Sequence, residues 1–209
     1  MKTIIRKANA DDASAFLAIK NQLPMSLADG TTTTGGFLLG TDLETYRFYI
    51  NNAYCLVAEK DKEVVGFGII LPDALLRNSE VWIKRNSATW YVDLNYYEQQ
   101  PLCYFEQFAF LPGNKKWAVL LAYNIVKWAF DEGNKTLFTT TVNKPILNLA
   151  AIPFIKTVSG IKAGNINEEY PLVGEINSDI YTIDAELFYQ KVAEHPLYSF
   201  FNSRSTVLN

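Results

Sequence analysis

Glu106 stands in the middle of an aromatic run, Cys103-Tyr-Phe-Glu-Gln-Phe-Ala-Phe110, and Lys115-Lys116 open the long apolar stretch that follows it. A carboxylate among aromatic rings loses hydration, which raises its pKa toward neutrality and suits it to accept a proton. Strand alternation puts Glu106 on the same side as Tyr104, Phe108 and Phe110. The bland alternatives are a wet strand end or a structural pair with a lysine. The two lysines lie where the turn Leu111-Pro-Gly-Asn-Lys-Lys116 passes into a helix expected over 117–130. The first turn of a helix leaves N–H groups without helical partners and carries the positive end of the dipole. With two ammonium groups added, that end suits a phosphate, although an ordinary solvated helix start has the same composition.

The positioning of these groups requires a strand, a turn and a helix in that order. The run 103–110 has strand length and β-favouring aromatics, and 117–130 is apolar nearly all round, with Asn124, Lys127 and Asp131 as its polar stripe. A helix with so narrow a wet edge lies on a sheet. Upstream, a strand is expected over 3–8 and a helix from the N-caps Asp11-Asp12 to about Asn21. A long loop over 22–40 carries Gly30, Thr31 to Thr34 and Gly35-Gly36. The pattern Thr41-Asp-Leu-Glu44 reads as a capping box that opens a helix toward Asn51. Strands over 53–58 and 64–71 flank the polar tip 59–63 as a hairpin. The segment 72–101, rich in Trp82, Trp90, Tyr91, Tyr96 and Tyr97, reads as an inserted lid. Beyond the long helix come a strand over 135–142 and a helix that starts at Asn143-Lys-Pro145 and ends near Gly160. A strand over 179–183 and a helix capped by Asp184 follow, and the tail from Pro196 is expected to pack loosely.

The chain has 209 residues, 49% apolar and 14% aromatic, enough to bury a sizeable core, and reads as one domain over 1–209. A net charge of −3 argues against nucleic-acid binding, which calls for a basic face. The two cysteines, Cys55 and Cys103, sit in apolar runs and read as buried thiols. No signal peptide or membrane-length apolar run is seen, so a cytoplasmic protein without membrane attachment is expected. The single histidine, His195, is expected at the surface, and no metal site is expected.

The order of elements resembles the GCN5-related N-acetyltransferase (GNAT) superfamily over nearly the whole chain, with 22–40 and 72–101 as variable parts. The family's Val-x-Pro at the end of its central strand is matched by Phe110-Leu-Pro112. Its Arg/Gln-x-x-Gly-x-Gly/Ala at the helix start is matched by Lys115-Lys-Trp-Ala118-Val-Leu120, with Ala118 and Leu120 in place of glycines. Its Asn-x-x-Ala-x-x-Phe-Tyr is similar to Asn148-Leu-Ala-Ala151-Ile-Pro-Phe154-Ile155, followed by Gly160-Ile161. Ile155 stands where the family often has the tyrosine that protonates the leaving thiolate.

This resemblance implies an α/β fold of the α+β kind: a mixed, mostly antiparallel twisted sheet with helices on both faces. It also implies direct acyl transfer from acetyl-CoA to a primary amine of a small molecule or peptide, within a ternary complex. Glu106 is then the candidate base. Lys115, Lys116 and the N–H groups of Trp117, Ala118, Val119 and Leu120 would hold the pyrophosphate. Phe108, Ala109 and Phe110 would bond the pantetheine arm. Asn148 matches a position near the cofactor, with a helix-surface amide as its alternative. Phe37, Trp82, Trp90 and Tyr91 could wall an acceptor pocket, or pack the insertion onto the sheet. The lost glycines and tyrosine keep open a second reading, a non-catalytic domain of this fold that binds a ligand or protein partner. Oligomeric state is open, a homodimer included.

Overall fold

The computed structural model describes residues 3–25, 30–37, 40–113, 115–170 and 173–204. Strand β1 (Thr3–Lys7) leads through a 3-10 turn (Ala10–Asp12) into α1 (Ala13–Gln22). Asp11 and Asp12 do not cap α1 as expected; Asn9 closes the turn by accepting from Asp11 N–H at 3.0 Å. The Asp12 carboxylate is engaged instead by both terminal nitrogens of Arg6, at 2.7 and 2.9 Å, and by Asn9 N–H. This ties β1 to the start of α1.

A short β2 (Thr31–Thr32) precedes α2 (Leu43–Asn52), whose cap is Asp42, accepting from Thr45 N–H at 2.8 Å. Thr41, the expected cap, is one residue too early: its hydroxyl accepts from Gln107 Nε2 at 3.0 Å. The hairpin of β3 (Tyr54–Lys60) and β4 (Glu63–Leu71) forms as expected, turning on Asp61 and Lys62 with φ of 51° and 76°. Two left-handed residues match the twist of the flanking strands without Asn-Gly. The insertion folds as α3 (Asp73–Arg77), α4 (Glu80–Lys84), β5 (Thr89–Trp90) and α5 (Leu94–Glu98). Next come β6 (Leu102–Phe110), α6 (Lys115–Asp131), β7 (Thr136–Lys144), β8 (Leu147–Asn148) and α7 (Ile152–Thr157). The described chain ends with β9 (Ile161–Tyr170), β10 (Gly174–Asp184), α8 (Ala185–Ala193) and α9 (Tyr198–Arg204).

Eight strands form one sheet in the order β1-β3-β4-β6-β7-β10-β9-β5, and β2 pairs separately with β8. Every neighbour pair in the large sheet is antiparallel except β6 with β7. The sheet is therefore mixed and mostly antiparallel, with helices on both faces. On one face α6 buries Leu120, Leu121, Ile125 and Ala129, and α8 and α9 add Phe188 and Phe201. On the other, Phe16 of α1 and Tyr46 of α2 pack against Phe67, the Phe16 and Phe67 rings stacked at 4.1 Å.

Four expectations are corrected. The helix expected from Pro145 to Gly160 is replaced by strand: β7 continues through Lys144, Asn143 bonds across to Asn177 of β10 at 3.2 Å, and Leu147–Asn148 pairs with β2. The early-proline signal belongs to Pro153, at the start of the much shorter α7. Asn124 is buried and turns its amide onto Leu120 C=O at 2.9 Å, so the wet stripe of α6 is narrower than expected. The tail does not pack loosely, because Phe201 of α9 is 2% exposed and stacked on Tyr123 at 4.7 Å. His195 is half-buried rather than exposed, stacked on Phe201 at 5.3 Å and accepting from Leu197 N–H. Cys55 and Cys103 are buried free thiols.

Candidate active site

In the pairing of β4 with β6, Ile69 faces Gln107 while Ile70 faces Phe105, so Glu106 is the extra residue of a β-bulge. The bulge resets the alternation. Tyr104, Gln107 and Ala109 lie on the α1–α2 face, where Tyr46 OH donates to Gln107 Oε1 at 3.0 Å. Phe105 and Phe110 pack on the α6 face, with the Phe108 ring 5.9 Å from that of Phe105. Glu106 accepts from Tyr49 OH of α2 at 3.4 Å. It therefore shares the side of Tyr104 but not of Phe108 and Phe110, contrary to a strict two-residue repeat.

The parallel ladder of β6 with β7 runs from Leu102 opposite Thr136 to Phe105 opposite Thr139 and stops there. Tyr104 OH and Thr140 Oγ1, 2.8 Å apart, bridge the two strands next to that point. Past it the strands continue unpaired with each other among the described residues, to Phe110 and Lys144. A cleft of about 900 Å³ occupies the gap and runs on beneath the insertion. Glu106 lines it. Burial pushes the Glu106 carboxyl above its ordinary range, outweighing the hydrogen bonds of Tyr49 and Gln107 and the charge of Lys84, which act the other way. Lys84 is not its ion-pair partner: the ammonium sits 2.8 Å from Glu168 and 3.0 Å from Tyr170 OH. Glu106 has no ion-pair partner among the described residues.

Phe37, Trp82, Trp90, Phe108 and Asn148 line the same cleft as Glu106. Asn148 lies in β8 rather than on a helix surface, its Oδ1 accepting from Ala150 N–H at 3.0 Å. Tyr91 is outside the cleft, 58% exposed beside Lys162. Ala109 is buried toward α1 and α2, and Phe110 lies over Gly66, where an added Cβ would come within 2.3 Å of its ring. Helix α6 starts at Lys115, earlier than expected; Asn114 of the turn lies outside the described residues. Lys115 and Lys116 are exposed, Trp117, Ala118 and Val119 half-buried, and Leu120 fully buried in the α6 core. Lys116 Nζ stands 3.9 Å from the centre of the Phe200 ring, and the Trp117 ring packs on Phe200 at 5.6 Å. Of α6, only Ala122 reaches the cleft wall.

Tyr49, Lys84, Tyr104, Glu168 and Tyr170 also line the cleft and were not singled out from sequence. Glu168 and Tyr170 sit two apart on β9, which was not read as a strand because few of its residues are apolar. The aromatic wall is held by the insertion. Strand β5 pairs with β9, placing Trp90 opposite Gly164, where a Cβ would meet Thr89 C=O at 2.6 Å. Trp90 and Tyr97 meet the Phe138 ring edge-on at 5.9 and 5.5 Å. The guanidiniums of Arg77 and Arg85 lie 5.2 and 4.6 Å from the Trp82 ring centre. On the opposite wall, Gly36 at φ 136° lets the backbone pass within 2.9 Å of Met25 and present Phe37.

An acetyltransferase of the GNAT family from Streptococcus pneumoniae superposes on 87% of this chain and 98% of its own, with TM-score 0.54 and 16% identity. The chain has the GNAT fold. An N-acetyltransferase from Staphylococcus aureus covers 88% of the chain and 99% of its own length, with TM-score 0.59 and 17% identity. An acetyltransferase from Salmonella typhimurium, solved with its cofactor acetyl-CoA, covers 88% of the chain and 94% of its own, with TM-score 0.58 and 11% identity. At these identities the GNAT likeness is one of fold. No protein-family model matches the sequence, and no curated protein does. Among the described residues, no group of three or more His, Cys, Asp or Glu is arranged to hold a metal ion, and no helix is long and apolar enough to cross a membrane.

Proposed function

We propose that this protein is an acetyl-CoA-dependent N-acetyltransferase of the GNAT superfamily that acetylates a primary amine directly, in a ternary complex. The observation that carries this reading is Glu106: a bulged carboxylate with a raised pKa and no ion-pair partner among the described residues, facing a cleft that opens where β6 and β7 part. The residues present fit the donor. Leu120, at a family glycine position, turns its side chain into the α6 core, and Ala118 is small, so the replaced glycines leave the helix start clear. Exposed Lys115 and Lys116 would face the pyrophosphate, and the gap-side backbone groups of residues 106–110 would pair with the pantetheine arm. Acetyl-CoA would supply the activated acetyl group.

The chain's own task is to deliver a neutral amine. A primary alkylamine has a pKa of about 10.4 in water, so Glu106 takes its proton before the nitrogen attacks. Tyr49 OH holds the carboxylate in place. Ile155, lining the cleft, has no proton to give the leaving sulfur, and this reading assigns that role to water. Calorimetric titration with acetyl-CoA tests the reading, and absence of binding removes it. In Glu106→Gln, affinity for acetyl-CoA stays near normal while turnover falls about 10²–10⁴-fold. Normal turnover in that variant removes Glu106 as the base.

A further inference from the structure

Resting on the acyltransfer reading, the side-chain chemistry of the cleft narrows its acceptor. On the side that Glu106 shares with Tyr104, the wall is apolar: Leu76, Val81, Trp82 and Trp90 from the insertion face Phe138 and Ile166 from the sheet. Three carboxylates line the cleft, and two are engaged. Asp42 caps α2 through Thr45 N–H, and Glu168 is paired with Lys84 at 2.8 Å. Only Glu106, among the described lining carboxylates, has neither a cap nor a cation. The cations around it, Lys20, Lys84 and Arg85, are held by Thr41 C=O, Glu168 and Glu98 and keep positive charge at the wall.

We infer that the acceptor is a small monoamine whose nitrogen is attached to an aromatic or branched apolar body. One ammonium finds Glu106, and the body displaces water from the Trp82–Trp90–Phe138 wall. A second ammonium finds no unengaged carboxylate among the described lining residues and meets Lys84 and Arg85, a repulsion strengthened in a low-dielectric cleft. A polypeptide brings backbone amides against the same apolar wall without partners, at the cost of their hydration.

The test is calorimetric titration of 2-phenylethylamine, 1,4-diaminobutane and an alanine-initiated tetrapeptide, with and without coenzyme A. The arylamine is expected to bind at least about tenfold tighter than the other two. Trp82→Ala is expected to weaken the arylamine while leaving acetyl-CoA affinity unchanged. Val81→Asp, which adds a second carboxylate to the wall, is expected to shift preference toward the diamine, a change that general damage to the fold would not produce. Equal or tighter binding of the diamine or peptide, or no arylamine binding in either condition, overturns the inference. Arylamine binding without acetyl-CoA binding leaves it standing and removes the acyltransfer reading; acetyl-CoA-dependent turnover of the diamine in preference to the arylamine does the reverse.

Discussion

A carboxylate whose pKa is raised by folding makes the folded state weaker at neutral pH than a neutral isostere would. For Glu106 the shift is upward, so its favourable contribution is complete below the unfolded carboxylate pKa and is lost as pH rises through the folded value. Glu106→Gln is therefore expected to melt higher than wild type at pH 7.5, with the difference shrinking as pH falls to 4. Each 1 kcal/mol gained corresponds to roughly 2–4 °C in Tm at this chain size. A variant equally or less stable at pH 7.5 would show that the carboxylate is not strained by burial. Tyr49 acts through Glu106, since its hydroxyl hydrogen bond favours the charged form and pulls the pKa down. Tyr49→Phe should move the acidic limb of the kcat/KM profile to higher pH with little change at the alkaline plateau. A purely structural role would lower both equally. Glu106 was legible in the sequence because a charge inside an aromatic strand is conspicuous. Its true neighbours were not, because a bulge adds one residue of register that composition does not mark.

Elements with long, uniform apolar patterns were read correctly: β6, α6 and the β3–β4 hairpin fall close to their expected spans. Elements stabilised by distant partners were not. Residues 143–148 look like a helix start, yet they are captured by β10 and β2, whose pairing outweighs a local proline signal. Strand β9 buries only Ala163, Gly164 and Ile166 of its ten residues, so it reads as loop until β10 and β5 are placed beside it. The same dependence predicts how the insertion can be loosened. Gly164 is where β5 crosses β9, and a side chain there would enter Thr89 C=O and press on Trp90 at 3.3 Å. Gly164→Val is expected to cost about 1–3 kcal/mol and to raise hydrogen exchange at residues 89–91, while exchange in α6 stays slow. Unchanged exchange at 89–91 would mean that β5 is not what holds the aromatic wall.

At the scale of the molecule, the sheet parts at its one parallel pair, near its middle, with the start of α6 following directly on the end of β6. Antiparallel neighbours extend the sheet on either side, so a ligand that bridges the gap would couple the two halves and stabilise both. Acetyl-CoA at about 100 times its Kd should add about 2.7 kcal/mol, seen as a rise in Tm of roughly 5–10 °C. The cationic helix start separates this from incidental binding. Lys115 and Lys116 are exposed, and the only contact found for either is Lys116 over the Phe200 ring. Reversing both charges, in K115E/K116E, should lower the Tm of the free protein by only about 1 kcal/mol equivalent. The acetyl-CoA-induced rise should nearly vanish, because a phosphate would then meet two carboxylates at the dipole's positive end. Raising salt should erode the wild-type shift in the same direction. A full shift in the double variant would place the pyrophosphate away from α6, and no shift in the wild type would leave this GNAT fold without its donor.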